Sequence, residues 1–312
     1  MNKPLAAVMY RYGAQDTIKI EPIQRPKVSP GKVIVEIKAA GINPLDWKLR
    51  DGTFKNIFPL VLPCVLGVEF AGNVIEVGEG VTSFKVGDRV IGKSLNYGAF
   101  AEIIETTPDL LVPTPDNLGD SIAATLPVAG LTAWTGLFDI GALKSGETVL
   151  IQGAAGGVGS LAVPLAQRAG AKVIATASRK NKSYVKSLGA AEVIDYSDPE
   201  ALAQLKDVDL ILDLVGGKPL TALWSALSPN GRIASAVAVD IAGKKPDGQP
   251  GKGTFFQMKY NAAVLSTIAR DIAKGEIPYT PPREFSLNDA SLALDSVKSG
   301  VYRGKTVLRM KE

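Results

Sequence analysis

The chain has no histidine among its 312 residues. That absence removes the usual general base at neutral pH, the commonest metal ligand, and every Ser-His or Cys-His nucleophile pair. Cys64 is the single cysteine, which excludes an internal disulfide and a four-cysteine zinc site; a long chain without disulfides fits a reducing compartment. No apolar run approaches the roughly 20 residues of a membrane span, and Met1 to Tyr10 lacks the long apolar core of a signal peptide. The expectation is a cytoplasmic protein with no membrane partner. A dominant charge is lacking too: 35 Lys and Arg stand against 31 Asp and Glu, a net +4. With no long block of either sign, nucleic acid is not an expected partner. Hydrophobic residues at 46% and charged residues at 21% exclude disorder as the main state, and the length suits about two domains.

The first third of the chain reads as short strands between turns. Lys32 to Ala40 alternates Val33, Val35 and Ile37 toward one face; Phe70 to Val77 and Arg89 to Gly92 are similar runs. Ser29-Pro30-Gly31, Val77-Gly78-Glu79-Gly80 and Val86-Gly87-Asp88 punctuate them at the spacing of a small all-β domain. After Pro113 to Pro115 the texture changes, and a boundary is expected near Ser121. From there strands and helices alternate: strands Thr148 to Gln152, Lys172 to Ala177, Glu192 to Tyr196, Val208 to Val215 and Gly231 to Ala236, with helices through Gln167, over Asn181 to Leu188, over Pro199 to Lys206 and around Leu220 to Leu227. Continuously apolar strands such as Val149-Leu150-Ile151 are expected to be covered on both faces, so the fold class is α/β, with a doubly wound parallel sheet beside the β domain. Lys244 to Gly253, rich in Gly, Pro and Lys, reads as a mobile surface loop. Helices over Asn261 to Lys274 and Asn288 to Ser299 and a strand over Lys305 to Met310 close the chain.

Strand Thr148 to Gln152 runs into Gly153-Ala154-Ala155-Gly156-Gly157-Val158-Gly159 and then a helix. This strand, tight turn and helix is the arrangement that a dinucleotide pyrophosphate site needs. Ala155, Gly156, Gly157 and Val158 are the candidate pyrophosphate contacts: Gly156 lets the phosphates approach the backbone, and the helix N-terminus supplies amide donors. Gly159 allows close helix-to-strand packing, and Ala154 replaces the first glycine of the fingerprint. At the end of the next strand, where an Asp or Glu would bond the ribose 2′-hydroxyl of NAD, stands Ala177-Ser178-Arg179-Lys180-Asn181-Lys182. Ser178 can donate a hydrogen bond, and Arg179, Lys180 and Lys182 can neutralise a 2′-phosphate, so NADPH is the expected cofactor. The plainer alternative is a solvated basic turn. Gly216-Gly217 falls at the carboxyl edge of the sheet, where ligands bind, although a simple turn has the same sequence. Pro164 is expected to bend the glycine-loop helix or to lie past its first turn.

With these residues in view, the sequence resembles the zinc-free quinone oxidoreductase-like branch of the medium-chain dehydrogenase/reductase superfamily over essentially its whole length. The motifs agree in order: Ala40-Gly41-Ile42-Asn43-Pro44-Leu45-Asp46-Trp47-Lys48, Gly67-Val68-Glu69-Phe70-Ala71-Gly72, Val86-Gly87-Asp88-Arg89-Val90, Leu126-Pro127-Val128-Ala129-Gly130-Leu131-Thr132-Ala133, the glycine loop, and Gly304-Lys305-Thr306-Val307-Leu308. The resemblance implies a GroES-like catalytic domain formed by residues 1–122 with 260–312, and a Rossmann NADP-binding domain over residues 123–259. It also implies a homodimer. Where zinc alcohol dehydrogenases of the superfamily carry a cysteine and a histidine ligand, this chain has Asn43 and Val68, so no metal site is expected.

The resemblance further implies that Asn43 donates from its amide to a substrate oxygen, that Thr132 lies near the nicotinamide or its ribose, and that Tyr97 offers a phenolic donor to an enolate. Asn43 and Thr132 have plainer roles as well, Asn43 capping a turn and Thr132 bonded to its own helix. Asp46 and Lys48 either orient the active-site loop or form an ordinary surface ion pair, the second being favoured. Tyr196 stands where members of this branch place an aromatic near the adenosine phosphate; a strand-end tyrosine is also commonly core. The function expected is NADPH-dependent, zinc-independent hydride transfer to a quinone or to the conjugated C=C of an α,β-unsaturated carbonyl. The alternatives are a non-enzymatic NADPH-binding protein of the crystallin or RNA-binding kind, and an enoyl reductase partner of a biosynthetic assembly line.

Overall fold

A computed structural model describes residues 3–217, 220 and 223–311. The chain divides into two compact units, one of residues 1–128, 260–274 and 280–312, the other of residues 129–259 and 275–279. No described helix is long and apolar enough to cross a membrane.

The first unit is built on β-strands. It holds β1 (Leu5–Met9), β2 (Ile18–Pro22), β3 (Val33–Ile42), β4 (Cys64–Val65), β5 (Glu69–Val77), β6 (Arg89–Lys93), β7 (Ile103–Thr106) and β8 (Leu111–Pro113). The β2-β1-β4 ribbon is separate from a larger sheet in which β3 pairs antiparallel with β5 and with β7. Val33, Val35 and Ile37 are buried as their alternation predicts. The strand runs on to Ile42, however, through the small residues Ala39, Ala40 and Gly41, so that its far end lies among other backbone. Gly72 of β5 shows how close that approach is: a Cβ there would stand 2.1 Å from the Glu36 carbonyl oxygen. Phe70, Phe100, Leu49 and Leu66 fill the core beside this sheet.

The second unit contains β9 (Thr148–Ile151), β10 (Lys172–Ala177), β11 (Glu192–Asp195), β12 (Val208–Asp213), β13 (Leu227–Ser235) and β14 (Lys252–Phe255). Their order across the sheet is β11-β10-β9-β12-β13-β14, every pairing parallel. Counted from β9 this is 3-2-1-4-5-6, the doubly wound Rossmann order. Val149, Leu150 and Ile151 on β9 and Leu210, Ile211 and Leu212 on β12 are fully buried, each contributing about 1.5–3 kcal/mol of hydrophobic stabilisation. Arg232 of β13 grips Glu147, just before β9, through both Nη atoms at 3.0 and 2.7 Å.

Three expectations are corrected here. Lys252 and Gly253 are not loop but the start of β14, a sixth strand paired to β13; its four residues, two of them Lys and Gly, carry too little apolar signal to register. Of the helix expected around Leu220 to Leu227, the second half is a 3-10 turn over Leu223–Ala226; Leu220 is helical, and positions 218, 219, 221 and 222 lie outside the described residues. The strand Gly231 to Ala236 begins earlier, at Leu227. Pro164 sits past the first turn of the helix Gly159–Arg168, one of the two places foreseen for it. The first unit closes with the helices Ala262–Ala273 and Ala290–Ser299, β15 (Arg283–Ser286) and β16 (Thr306–Arg309), which pairs antiparallel with β3.

Candidate functional site

The glycine loop follows β9 at the carboxyl edge of the parallel sheet. Gly153 takes φ +68°, where a β-carbon is disfavoured, and receives a hydrogen bond from the Gly156 amide at 3.0 Å. A Cβ on Gly159 would meet the Gly153 carbonyl oxygen at 2.4 Å and the Ala154 Cα at 2.6 Å, so glycine is required for the helix to leave the strand this closely. Gly156 differs: it is exposed, with only the Gly153 oxygen near its missing side chain, at 3.3 Å. Open space over bare backbone is what an approaching phosphate needs. Ala155 is buried, and Gly157 and Val158 are half-buried beside it.

β10 ends at Ala177 and presents the basic turn. The Ser178 hydroxyl is buried and has no hydrogen-bond partner, an unmet capacity of a kind that native structures rarely leave empty. Arg179 has a side chain 93% exposed, and Lys182, which opens the helix Lys182–Ser187, is also exposed. These residues fit a dinucleotide that ends in a 2′-phosphate: a donor without a partner, and two cations in water. The sheet also brings a carboxylate here that sequence reasoning missed. Asp195 ends β11 directly opposite Ala177, and its Oδ2 lies 3.7 Å from Arg179 Nε. The signal was a pairing between strands, invisible without the sheet. Tyr196, next in the chain, is 59% exposed, so it is not core. Gly216 turns at φ +73° after β12, its amide donating at 2.7 Å to Asp213 Oδ1. Asp213 is fully buried and its Oδ2 accepts from the Ser235 hydroxyl at 2.6 Å. Asp213 and Ser235 thus shape the loops at the ends of β12 and β13, another role the sequence left unread.

In the first unit the residues of the expected catalytic loop form a closed polar cluster. Lys305 Nζ donates to Glu69 Oε1 at 2.6 Å, to Asn43 Oδ1 at 2.7 Å and to the Ile42 carbonyl at 2.9 Å. Three acceptors use all three ammonium hydrogens. Asn43 Nδ2 donates to Glu69 Oε1 at 2.9 Å, and Glu69 Oε2 accepts from the Val128 amide at 2.7 Å. Glu69 is fully buried, and Gly41 makes room for it: a Cβ at Gly41 would lie 2.4 Å from Oε1. Asn43 does not simply cap its turn; its carboxamide is held inside this cluster by a carboxylate and an ammonium.

Asp46 is fully buried too, rather than in a surface ion pair with Lys48. Its Oδ2 accepts from the Asn43 amide at 2.7 Å, while Oδ1 has no partner. Burial, only partly offset by the Asn43 amide and the Lys305 charge, pushes its carboxyl up to about 7. Lys48 instead lies over the rings of Trp47 and Phe54, at 5.6 and 5.4 Å from their centroids. Tyr97 takes φ +65°, and burial, then the Asp46 charge, raises its phenol above the ordinary tyrosine value. Thr132 is buried within the helix Leu126–Trp134, in the part of it that belongs to the second unit.

A catalytic zinc does not fit these residues. Val68 offers no ligand atom, Glu69 already gives its charge to Lys305, and among the described residues no three His, Cys, Asp or Glu side chains are grouped to hold a metal.

Comparison with known proteins places this architecture. Residues 29–116 match the alcohol dehydrogenase GroES-like domain, and residues 188–308 match the family model described as zinc-binding dehydrogenase. The chloroplast envelope quinone oxidoreductase homolog of Arabidopsis thaliana is 37% identical over 244 residues, 74% of either chain. Among solved structures, the quinone oxidoreductase from Coxiella burnetii aligns with a TM-score of 0.90 at 30% identity over 99% of both chains. The quinone oxidoreductase of Escherichia coli, complexed with NADPH, aligns with a TM-score of 0.86 at 26% identity, over 98% of this chain and 99% of that one. Two matched domain models, the expected doubly wound parallel sheet and relatives of one kind agree with the motifs read along the sequence, and the chain belongs to the quinone oxidoreductase-like branch of the medium-chain dehydrogenase/reductase superfamily.

Proposed function

We propose that this oxidoreductase is an NADPH-dependent, zinc-independent reductase of quinones or of the conjugated C=C of α,β-unsaturated carbonyls. The observation that carries the cofactor choice is the buried, unpartnered Ser178 hydroxyl beside the exposed Arg179 and Lys182. Gly156, Gly157 and Val158, with Ala155 behind them, are assigned to the pyrophosphate, Ser178, Arg179 and Lys182 to the 2′-phosphate, and Tyr196 and Gly216 to the adjoining adenosine and ribose. When bound, NADPH would supply a hydride, and the negative charge left on the acceptor would collect on its oxygen.

Stabilising that oxygen needs donors rather than a metal. Asn43 Nδ2 carries two hydrogens, one of them given to Glu69; we assign the other to the acceptor oxygen. Lys305 and Glu69 hold the carboxamide from both ends, so this donor is oriented before substrate arrives. Tyr97, a phenol protonated at neutral pH that burial raises further, is the second donor assigned. Thr132 is assigned a contact with the nicotinamide ribose.

The test is a titration of the purified protein with NADPH and with NADH, followed by nicotinamide fluorescence. NADPH is expected to bind more tightly, and Arg179→Ala to abolish the preference at a cost of about tenfold in NADPH affinity, as for loss of one charge-assisted contact. Binding of neither nucleotide overturns the reading. Oxidation of bound NADPH by a simple benzoquinone or an enone then tests the reaction; tight binding without turnover on either class favours the non-enzymatic alternative.

A further inference from the structure

We propose that Asp195 is a specificity-determining residue of the cofactor site, a carboxylate lent by the neighbouring strand that competes with the 2′-phosphate of NADPH for Arg179 and Lys182 and so narrows the preference over NADH. The inference rests on the NADPH reading given above.

Register puts Asp195 there. β10 and β11 run parallel with Ala177 opposite Asp195, so both strands end at the same level and the carboxylate lies beside the turn where ribose recognition falls in this fold. Its orientation is imposed from its own loop. Oδ1 accepts from the Ser197 amide at 3.0 Å and from the Ser197 hydroxyl at 2.7 Å, leaving Oδ2 as the oxygen nearest Arg179. At 3.7 Å the pair is attracted by charge without a formed hydrogen bond. With its side chain 93% exposed, Arg179 is free to turn toward another anion. The hydrogen bonds from Ser197, then the charges of Arg179 and Lys182, hold the Asp195 carboxyl below its usual value, so it is ionised at neutral pH.

The consequence falls on one of the two nucleotides only. A 2′-phosphate brought to Arg179 and Lys182 meets the repulsion of Asp195, whereas the 2′-hydroxyl of NADH carries no charge there. Both nucleotides share the pyrophosphate, so comparing them isolates the 2′ position. A unit charge about 4–6 Å from another in water shifts binding by about three- to sixfold, and a 2′-phosphate carries nearly two charges; beyond roughly 10 Å the effect is screened out.

The experiment measures dissociation constants of NADPH and NADH by isothermal titration calorimetry, for the wild type and for Asp195→Asn, at low and at physiological salt. The asparagine retains an oxygen for Ser197. The expected result is NADPH binding three- to tenfold tighter in the variant, NADH unchanged within twofold, and a gain that shrinks as salt rises. In an Arg179→Gln background the gain should be smaller, because the competition has lost one of its objects. A ratio of the two affinities that is unchanged by Asp195→Asn, or affinities that move together, overturns this inference alone. Failure of the wild type to bind either nucleotide overturns the NADPH reading and this inference with it.

Discussion

Two clusters of charge in this chain are built from similar side chains and resolved in opposite ways. In the β-rich unit, Lys305, Glu69 and Asn43 consume one another: the ammonium spends all its hydrogens on protein oxygens, and both carboxylate oxygens are bonded. At the carboxyl edge of the Rossmann sheet, a serine hydroxyl is left without a partner while Arg179 and Lys182 stand in water. Burial explains the difference. A charge removed from water must be matched from inside the fold or it costs several kcal/mol, whereas an exposed one is solvated at little cost and stays available. The closed cluster therefore maintains a shape, and the open one retains capacity for a ligand.

The largest expected effect breaks the closed cluster. Lys305→Met leaves the fully buried Glu69 without its cation, and removal of one partner of a buried pair costs about 3–5 kcal/mol. The denaturant midpoint should fall accordingly, and Glu69→Gln added to Lys305→Met should recover much of the loss by removing the stranded charge. Recovery of nothing would show that the lysine acts through its hydrogen bonds to Ile42 and Asn43 rather than through charge.

Asp46 provides the next test, because it is the one member of this neighbourhood whose Oδ1 is unmatched. With a folded-state value of about 7 against about 4 in the unfolded chain, it stays protonated in the native state at a pH where the unfolded chain has released the proton. Its contribution to stability is therefore full below about pH 4 and declines as pH rises toward 7, by roughly 2–4 kcal/mol in all. Asp46→Asn should flatten that decline, read as urea midpoints across the interval. An unaltered slope would place the titration elsewhere.

The contrast between the clusters also explains what could be read from the chain before it was folded. The open site was legible because its parts are local: strand, glycines and helix follow one another from Thr148 to Arg168, and Ser178 to Lys182 is one continuous turn. The parallel strands were legible for the same reason, each a run of apolar residues. The closed cluster draws on residues as distant as Asn43 and Lys305, and no spacing announces that β16 will lie against β3 and deliver an ammonium to Glu69. Asp195 was missed in the same way: the stretch after β10 holds no acidic residue, and the carboxylate arrives from the next strand over. β14 was hidden by composition, since Lys252-Gly253-Thr254-Phe255 resembles the loop that leads into it.

Ser178 gives the smallest effect and the one that separates the two kinds of cluster most cleanly. A buried hydroxyl without a partner stabilises nothing, and its burial costs about 1–3 kcal/mol on protein scales, less where water reaches it. Ser178→Ala should therefore leave the denaturant midpoint unchanged, or raise stability by up to about 1 kcal/mol, while weakening NADPH binding several-fold, about 1 kcal/mol for one lost hydrogen bond. Stability and affinity would then move in opposite directions, as expected where a group is retained for a ligand at some cost to the fold. If the variant is instead less stable and binds NADPH as before, the hydroxyl belongs to the fold, and the rim around Arg179 loses the donor on which its reading as a phosphate site depends.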